Sequence, residues 1–230
     1  MNSGIQCLET ETFSVKREWT ADGVPVLTAA LALPRPADRS SRTAKRIDRF
    51  YQLQGRSYLR YCGEWLFPQA EADYRQALAA GSPLKLRSAE LNFRVTCSER
   101  GVWSVYTQTC EQCGGRRTVT RRGDTWNLVT GYPLPLSAFF PKHFPIRKTL
   151  LHAAETELLR REACGLARCH ERWRQELRRT FNRENFYLTP DGLCFFWQMG
   201  TAAAAAEGIP TFRIPFGEAG CQWPFSEPEN

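Results

Sequence analysis

Asn185-Phe186-Tyr187-Leu188-Thr189-Pro190-Asp191-Gly192-Leu193 opens the stretch that decides the fold, and Gly208-Ile209-Pro210-Thr211-Phe212-Arg213-Ile214-Pro215 completes it. Pro190 presets φ, and Asp191 and Gly192 tolerate a tight reversal. The turn lies between two apolar runs, residues 186–188 and 193–197, so the segment reads as a β-hairpin. A third strand is expected over residues 212–216, after a loop of small residues.

The same signals recur upstream. Residues 12–19 and 24–33 read as strands joined at Asp22-Gly23, a strong hairpin dipeptide. Pro34 and Pro36 end the second strand. The period then becomes helical, with Ala44, Ile47, Tyr51, Tyr58, Tyr61 or Cys62, and Trp65 on one face and Ser40 or Ser41 as N-cap. Pro68 is expected to interrupt that helix, with a second over residues 69–80 closed by Gly81-Ser82-Pro83. Strands follow over 84–97, 102–109 and 117–128, separated by Ser98-Glu99-Arg100-Gly101 and Cys113-Gly114-Gly115-Arg116. Two more helices are expected: one after Pro145 with Leu150, Leu151, Ala154, Leu158 and Leu159 on its apolar stripe, one carrying Leu166, Cys169 or His170, Trp173 and Leu177. The pattern implies an α+β fold, an antiparallel sheet with packed helices. The organisation expected is a tail over 1–11, an N-terminal half over 12–143, a C-terminal half over 144–217 and a tail over 218–230.

Composition bounds the class. The 230 residues are 42% hydrophobic and 12% aromatic, enough for a packed core. The net charge of +7 permits anionic partners without selecting one. Residues 1–11 have no basic start and apolar run of a signal peptide, and no run of about 18 apolar residues exists. The expectation is a cytoplasmic chain without a membrane segment. Nine cysteines without framework spacing suit a reducing compartment, and Cys62 and Cys194 fall at core positions.

The residues around the last hairpin resemble the C-terminal domain shared by RsiV-like anti-sigma factors and PdaC-like peptidoglycan deacetylases. Val24-Pro25-Val26-Leu27, Trp103-Ser104-Val105-Tyr106, the Gly114-Gly115 pair, residues 125–131 and Leu134-Pro135-Leu136-Ser137 resemble further segments of it, so the likeness spans residues 12–217. The resemblance implies the α+β domain and a binding or sensing role for a protein or cell-wall ligand. It also places the ligand-facing region after the last hairpin: Trp197, Met199, Gly200, Ala204, Ala205, Gly208, Phe212 and Arg213. RsiV-like domains bind lysozyme, and their loop here carries two Tyr and a Pro. Gly200, Ala204 and Ala205 stand in those places, so the aromatic anchors of such a surface are missing and lysozyme sensing is not carried over. Relatives in this family are extracytoplasmic, which this chain, as read, is not.

Catalytic signals are sparse. The paired Asp and His motifs of the deacetylases are absent, and the three His (143, 152 and 170) form no His-x-x-x-His pair. Cys110-Glu111-Gln112-Cys113 has the spacing of a zinc half-site or a redox pair, but no second ligand pair is well spaced and no helix N-terminus follows it. Incidental turn cysteines are the leading reading, and no metal or other cofactor is expected. Eight Arg between 160 and 183 alternate with Glu, which marks a solvated helix face, and no nucleic-acid motif accompanies them. A non-catalytic binding domain is therefore expected, with a cell-wall hydrolase or deacetylase-related enzyme as the alternative.

Overall fold

A computed structural model describes residues 7–203 and 208–225. It contains nine strands in two sheets, ordered β1-β2-β3-β4-β5-β6 and β7-β8-β9, with helices, so the fold is α+β. The chain forms two compact units that interleave in sequence. One comprises Leu8–Arg94 and Thr107–Val119; the other comprises Val95–Tyr106 and the chain from Thr120 onward.

In the first unit, β1 (Thr10–Ala21) and β2 (Val24–Pro36) pair antiparallel. Asp22 and Gly23 have φ of 50° and 78°, the left-handed pair that a two-residue type I′ turn requires. Leu27, Ala29, Leu31 and Leu33 of β2 are buried at alternate positions. Helix α1 (Arg42–Tyr61) follows, and the cap is Ser41, whose hydroxyl accepts from the Ala44 amide at 3.0 Å. Its buried stripe is Ala44, Ile47, Tyr51 and Gly55. Gly55 lets helix and strand close up, since a Cβ there would stand 2.5 Å from a Leu33 methyl.

Pro68 does not interrupt the helix as the sequence suggested. The helix continues through a π turn (Cys62–Leu66) into α2 (Phe67–Ala79). The wider turn, with the Phe67 amide bonded to the Cys62 carbonyl, leaves room for a ring that carries no N–H. Helix α2 ends in a Schellman motif: the Ser82 amide bonds the Ala77 carbonyl at 2.9 Å, with Gly81 at φ 61°. This excursion returns the chain to β3 (Arg87–Glu99) beside β2 and parallel to it, Leu27 opposite Arg87 and Leu31 opposite Leu91. An all-antiparallel sheet was expected; the helical crossover makes this one pair parallel. Strands β4 (Val102–Cys113) and β5 (Arg116–Asn127) follow through further two-residue turns, with positive φ at Arg100, Gly101, Gly114 and Gly115.

In the second unit, β6 (Tyr132–Pro133) pairs with the end of β5, and a 3-10 turn (Leu136–Phe139) leads to α3 (Ile146–Ala163). Leu150, Leu151, Ala154 and Leu158 are buried, whereas Leu159, placed on the same stripe by the sequence, is exposed. The next helix is shorter than expected: α4 spans only Trp173–Arg179. Gly165 stands at φ 69°, and Cys169 and His170 use their backbones on Ala203 and Ala202. That pairing is non-local and competes with helix. Strands β7 (Phe186–Thr189), β8 (Gly192–Phe196) and β9 (Thr211–Pro215) form the expected hairpin and third strand. Phe186, Leu188, Leu193, Phe195, Phe212 and Ile214 pack into one core with α3 and α4. Residues 218–225, expected as tail, join it: Cys221 is buried and the Gln222 amide bonds the Phe139 carbonyl at 2.9 Å. No helix among the described residues is long and apolar enough to cross a membrane.

Candidate functional site

Two regions of this molecule come into question. The first is the segment after β8. Trp197 is 2% exposed, and its indole N–H donates to the Leu177 carbonyl at 3.0 Å. Phe212 is likewise buried, stacked edge-on against Trp197. Both are core residues, as large aromatics usually are. Met199 and Gly208 are half-buried, and Gly200 and Arg213 are exposed. Arg213 lies 3.6 Å from the Asp191 carboxylate across the hairpin. Ala204 and Ala205 lie outside the described residues. Among the described residues of this segment, Gly200 and the charged Arg213 reach the surface.

The second region is a groove of 640 Å³ in the first unit. One wall is the face of α2 that carries Gln69, Asp73, Gln76 and Ala77, continued by Leu66 of the π turn. The other wall is the tip of the β4–β5 hairpin, from Glu111 to Thr118, and Lys85, Arg87 and Ser88 lie between. Asp73 is its fixed point. The Arg87 guanidinium donates to one Asp73 oxygen from Nε at 2.9 Å and lies 2.8 Å from it through Nη2. Its Nη1 donates to the Gln69 side-chain Oε1 at 3.3 Å, and the Cys113 thiol donates to Asp73 at 3.7 Å. Gln69 is itself held by its amide on the Trp65 carbonyl. Glu111 accepts from the Tyr61 hydroxyl at 3.4 Å. Burial, then the Glu111 carboxylate, pushes the Tyr61 phenol above its ordinary range.

The two cysteines of the Cys-x-x-Cys motif part company here. Cys113 lines the groove, while Cys110 is buried and takes the Arg117 Nε at 3.2 Å. Among the described residues no group of three or more His, Cys, Asp or Glu gathers to hold a metal ion. The histidines are scattered: His143 and His152 are exposed, and His170 contacts the Thr201 carbonyl at 2.8 Å through Nε2. The arginines of α3 and α4 are largely committed to local ion pairs, Arg160 and Arg161 to Glu157, Arg178 to Glu155 and Arg179 to Glu176.

The groove is not announced by any motif in the sequence. Gln69, Asp73, Gln76 and Ala80 share one helical face, a signal legible by period, but the strand tip facing it is brought there only by the parallel crossover.

Residues 154–217 match a family model described as a protein of unknown function, DUF3298. No curated protein matches the chain. Among solved structures the chain is similar to a DUF3298 family member from Bacteroides fragilis, with a TM-score of 0.67 and 14% identity over 94% of this chain and 93% of that one. It is also similar to a DUF3298 family protein from Pseudomonas aeruginosa, with a TM-score of 0.59 and 16% identity over 92% of each. At such identities the likeness is one of fold, and it extends well beyond the matched segment into the unit that holds the groove.

Proposed function

We propose that this chain is a non-catalytic binding or sensing domain of the type found at the C-terminus of RsiV-like and PdaC-like proteins, and that the groove beside α2 is its ligand site. The observation that carries this reading is the Asp73–Arg87–Gln69–Cys113 cluster. A carboxylate clamped twice by one guanidinium is a structural anchor for a surface, not a free base. The neighbouring Cys113 thiol donates to the same carboxylate and so belongs to the anchor. The cluster fixes the groove's floor and leaves its rim to a ligand.

The partner in this reading is a protein or a cell-wall component. Nine free cysteines favour a reducing compartment such as the cytoplasm. The alternative is a cell-wall hydrolase or deacetylase-related enzyme. Purified protein incubated with peptidoglycan, with and without divalent metal, separates the two: release of neither acetate nor new reducing ends is expected. Metal-dependent turnover overturns the binding reading. A second binding surface, at Met199, Gly200, Gly208 and Arg213, is supported by one observation: β9 ends the order of its sheet, and an end strand can accept a partner's strand.

A further inference from the structure

We propose that the groove takes an extended acidic peptide segment, whose carboxylates meet Lys85 and Arg116 and whose backbone amides meet Gln76 and Gln112. The inference rests on the binding reading above and names the ligand class. The floor of the groove is internally satisfied: Asp73, Arg87, Gln69 and Cys113 bond one another. The rim is not. Among the described residues neither Lys85 nor Arg116 has an ion-pair or hydrogen-bond partner, and the same holds for the side-chain amides of Gln76 and Gln112.

Each rim group has a defined complement. Lys and Arg offer only donors and positive charge, which a carboxylate accepts. A carboxamide offers donor and acceptor in one plane, the complement of a peptide unit. The charge balance points the same way: Arg87 neutralises Asp73, and Lys85 and Arg116 outnumber the one remaining carboxylate of the lining, Glu111, which faces the Tyr61 hydroxyl. Lys85 is also seated: its stem lies over the bare backbone of Gly114, where a Cβ would come within 2.9 Å of its Cδ. A lysine laid along a surface in this way presents its ammonium in a narrower range of positions. No aromatic ring lines the groove to stack on the face of a base, and without such a platform a peptide fits this rim better than a sugar or a nucleotide chain.

The test is fluorescence anisotropy of the full chain with a fluorescein-labelled hexaglutamate peptide at low salt. Saturable binding is expected, weakened by about tenfold or more in the Lys85→Glu, Arg116→Glu double variant. A charge-matched control, Lys142→Glu with Lys148→Glu, both at exposed positions, is expected to bind within about twofold of the native chain. The Gln76→Ala, Gln112→Ala double variant is expected to lose about fivefold. Unlabelled tetragalacturonate is expected not to displace the peptide. Absence of saturable binding, equal loss in the two charge variants, or displacement by tetragalacturonate at the peptide's own concentration overturns the assignment. Mass spectrometry of the recovered peptide keeps the two claims apart: cleaved peptide sinks the non-catalytic reading, whereas failure to bind sinks the acidic-peptide assignment alone.

Discussion

Replacing Gly123 by Ala should be among the most damaging single-methyl changes available to this chain. Gly123 lies in β5 with an ordinary backbone conformation, so the glycine is required for space and not for φ. A Cβ there would stand 1.7 Å from the Phe186 carbonyl oxygen and 2.6 Å from its carbon. These are backbone atoms of β7, which no rotamer change can move. Relief means displacing β7 by more than an ångström, against the ring packing of Phe139 on Phe186. It also strains the buried bond from the Leu188 amide to the Ser104 hydroxyl at 2.8 Å, itself paired with Thr125. Forced overpacking costs about 1–3 kcal/mol, and a buried amide left without its acceptor costs a further ~1–3 kcal/mol. Together they come to about 4 kcal/mol, or a melting temperature lower by about 8–16 °C for a chain of this size. Gly115→Ala is the internal control. Gly115 has φ 84° with nothing within 4 Å of its Cβ position, so only left-handed strain of ~1 kcal/mol applies. Thermal melts by circular dichroism compare the two, and a Gly123→Ala melt within a few degrees of Gly115→Ala refutes the steric argument.

Three further outcomes follow from the structure. In native protein at pH 8, iodoacetamide should modify the exposed Cys7 and Cys164 and spare Cys62, Cys97 and Cys221, whose burial pushes their thiols up to about 11, about 11 and about 12; intact-mass spectra before and after denaturation count them. The Arg160 and Arg161 guanidinium groups beside Glu157 hold its carboxyl at about 2, against an ordinary 4.5. A lowered folded-state value gives stability that is present above the ordinary value and lost as pH falls. The small stability difference between native and Glu157→Gln protein should therefore persist at neutral pH, shrink as pH drops from 4.5, and vanish near 2. Arg213→Glu should leave the melting temperature within about 1–2 °C of native, since its ion pair to Asp191 is exposed at both ends, and a pulldown in which this variant loses a partner locates a second surface at β9.

The parts of the fold that were legible are those fixed by local chemistry. Asp22-Gly23, Arg100-Gly101 and Gly114-Gly115 each place two residues at positive φ, a demand that few dipeptides meet, so the turns announce themselves. Gly192 was legible as a turn glycine for a different reason from the one that holds: its φ is not positive, and it is small because the Ile214 carbonyl passes 2.3 Å from its Cβ position. Non-local causes were not legible. The segment before α4 carries an apolar helical spacing from Leu166 to Leu177, yet backbone pairing of Cys169 with Ala203 claims it first. The family resemblance placed Trp197 and Phe212 in the ligand-facing region, whereas both are buried in the core. The groove escaped for the same reason: Asp73 and Arg87 are 14 residues apart, and only the parallel return of β3 beside β2 sets them face to face.

Hydrogen exchange of the full chain, with and without saturating hexaglutamate peptide, tests the groove most directly. Slowed exchange is expected over residues 69–77, 82–88 and 111–118, with residues 199–213 unchanged. Protection centred on residues 199–213, or none in the groove at saturation, contradicts it.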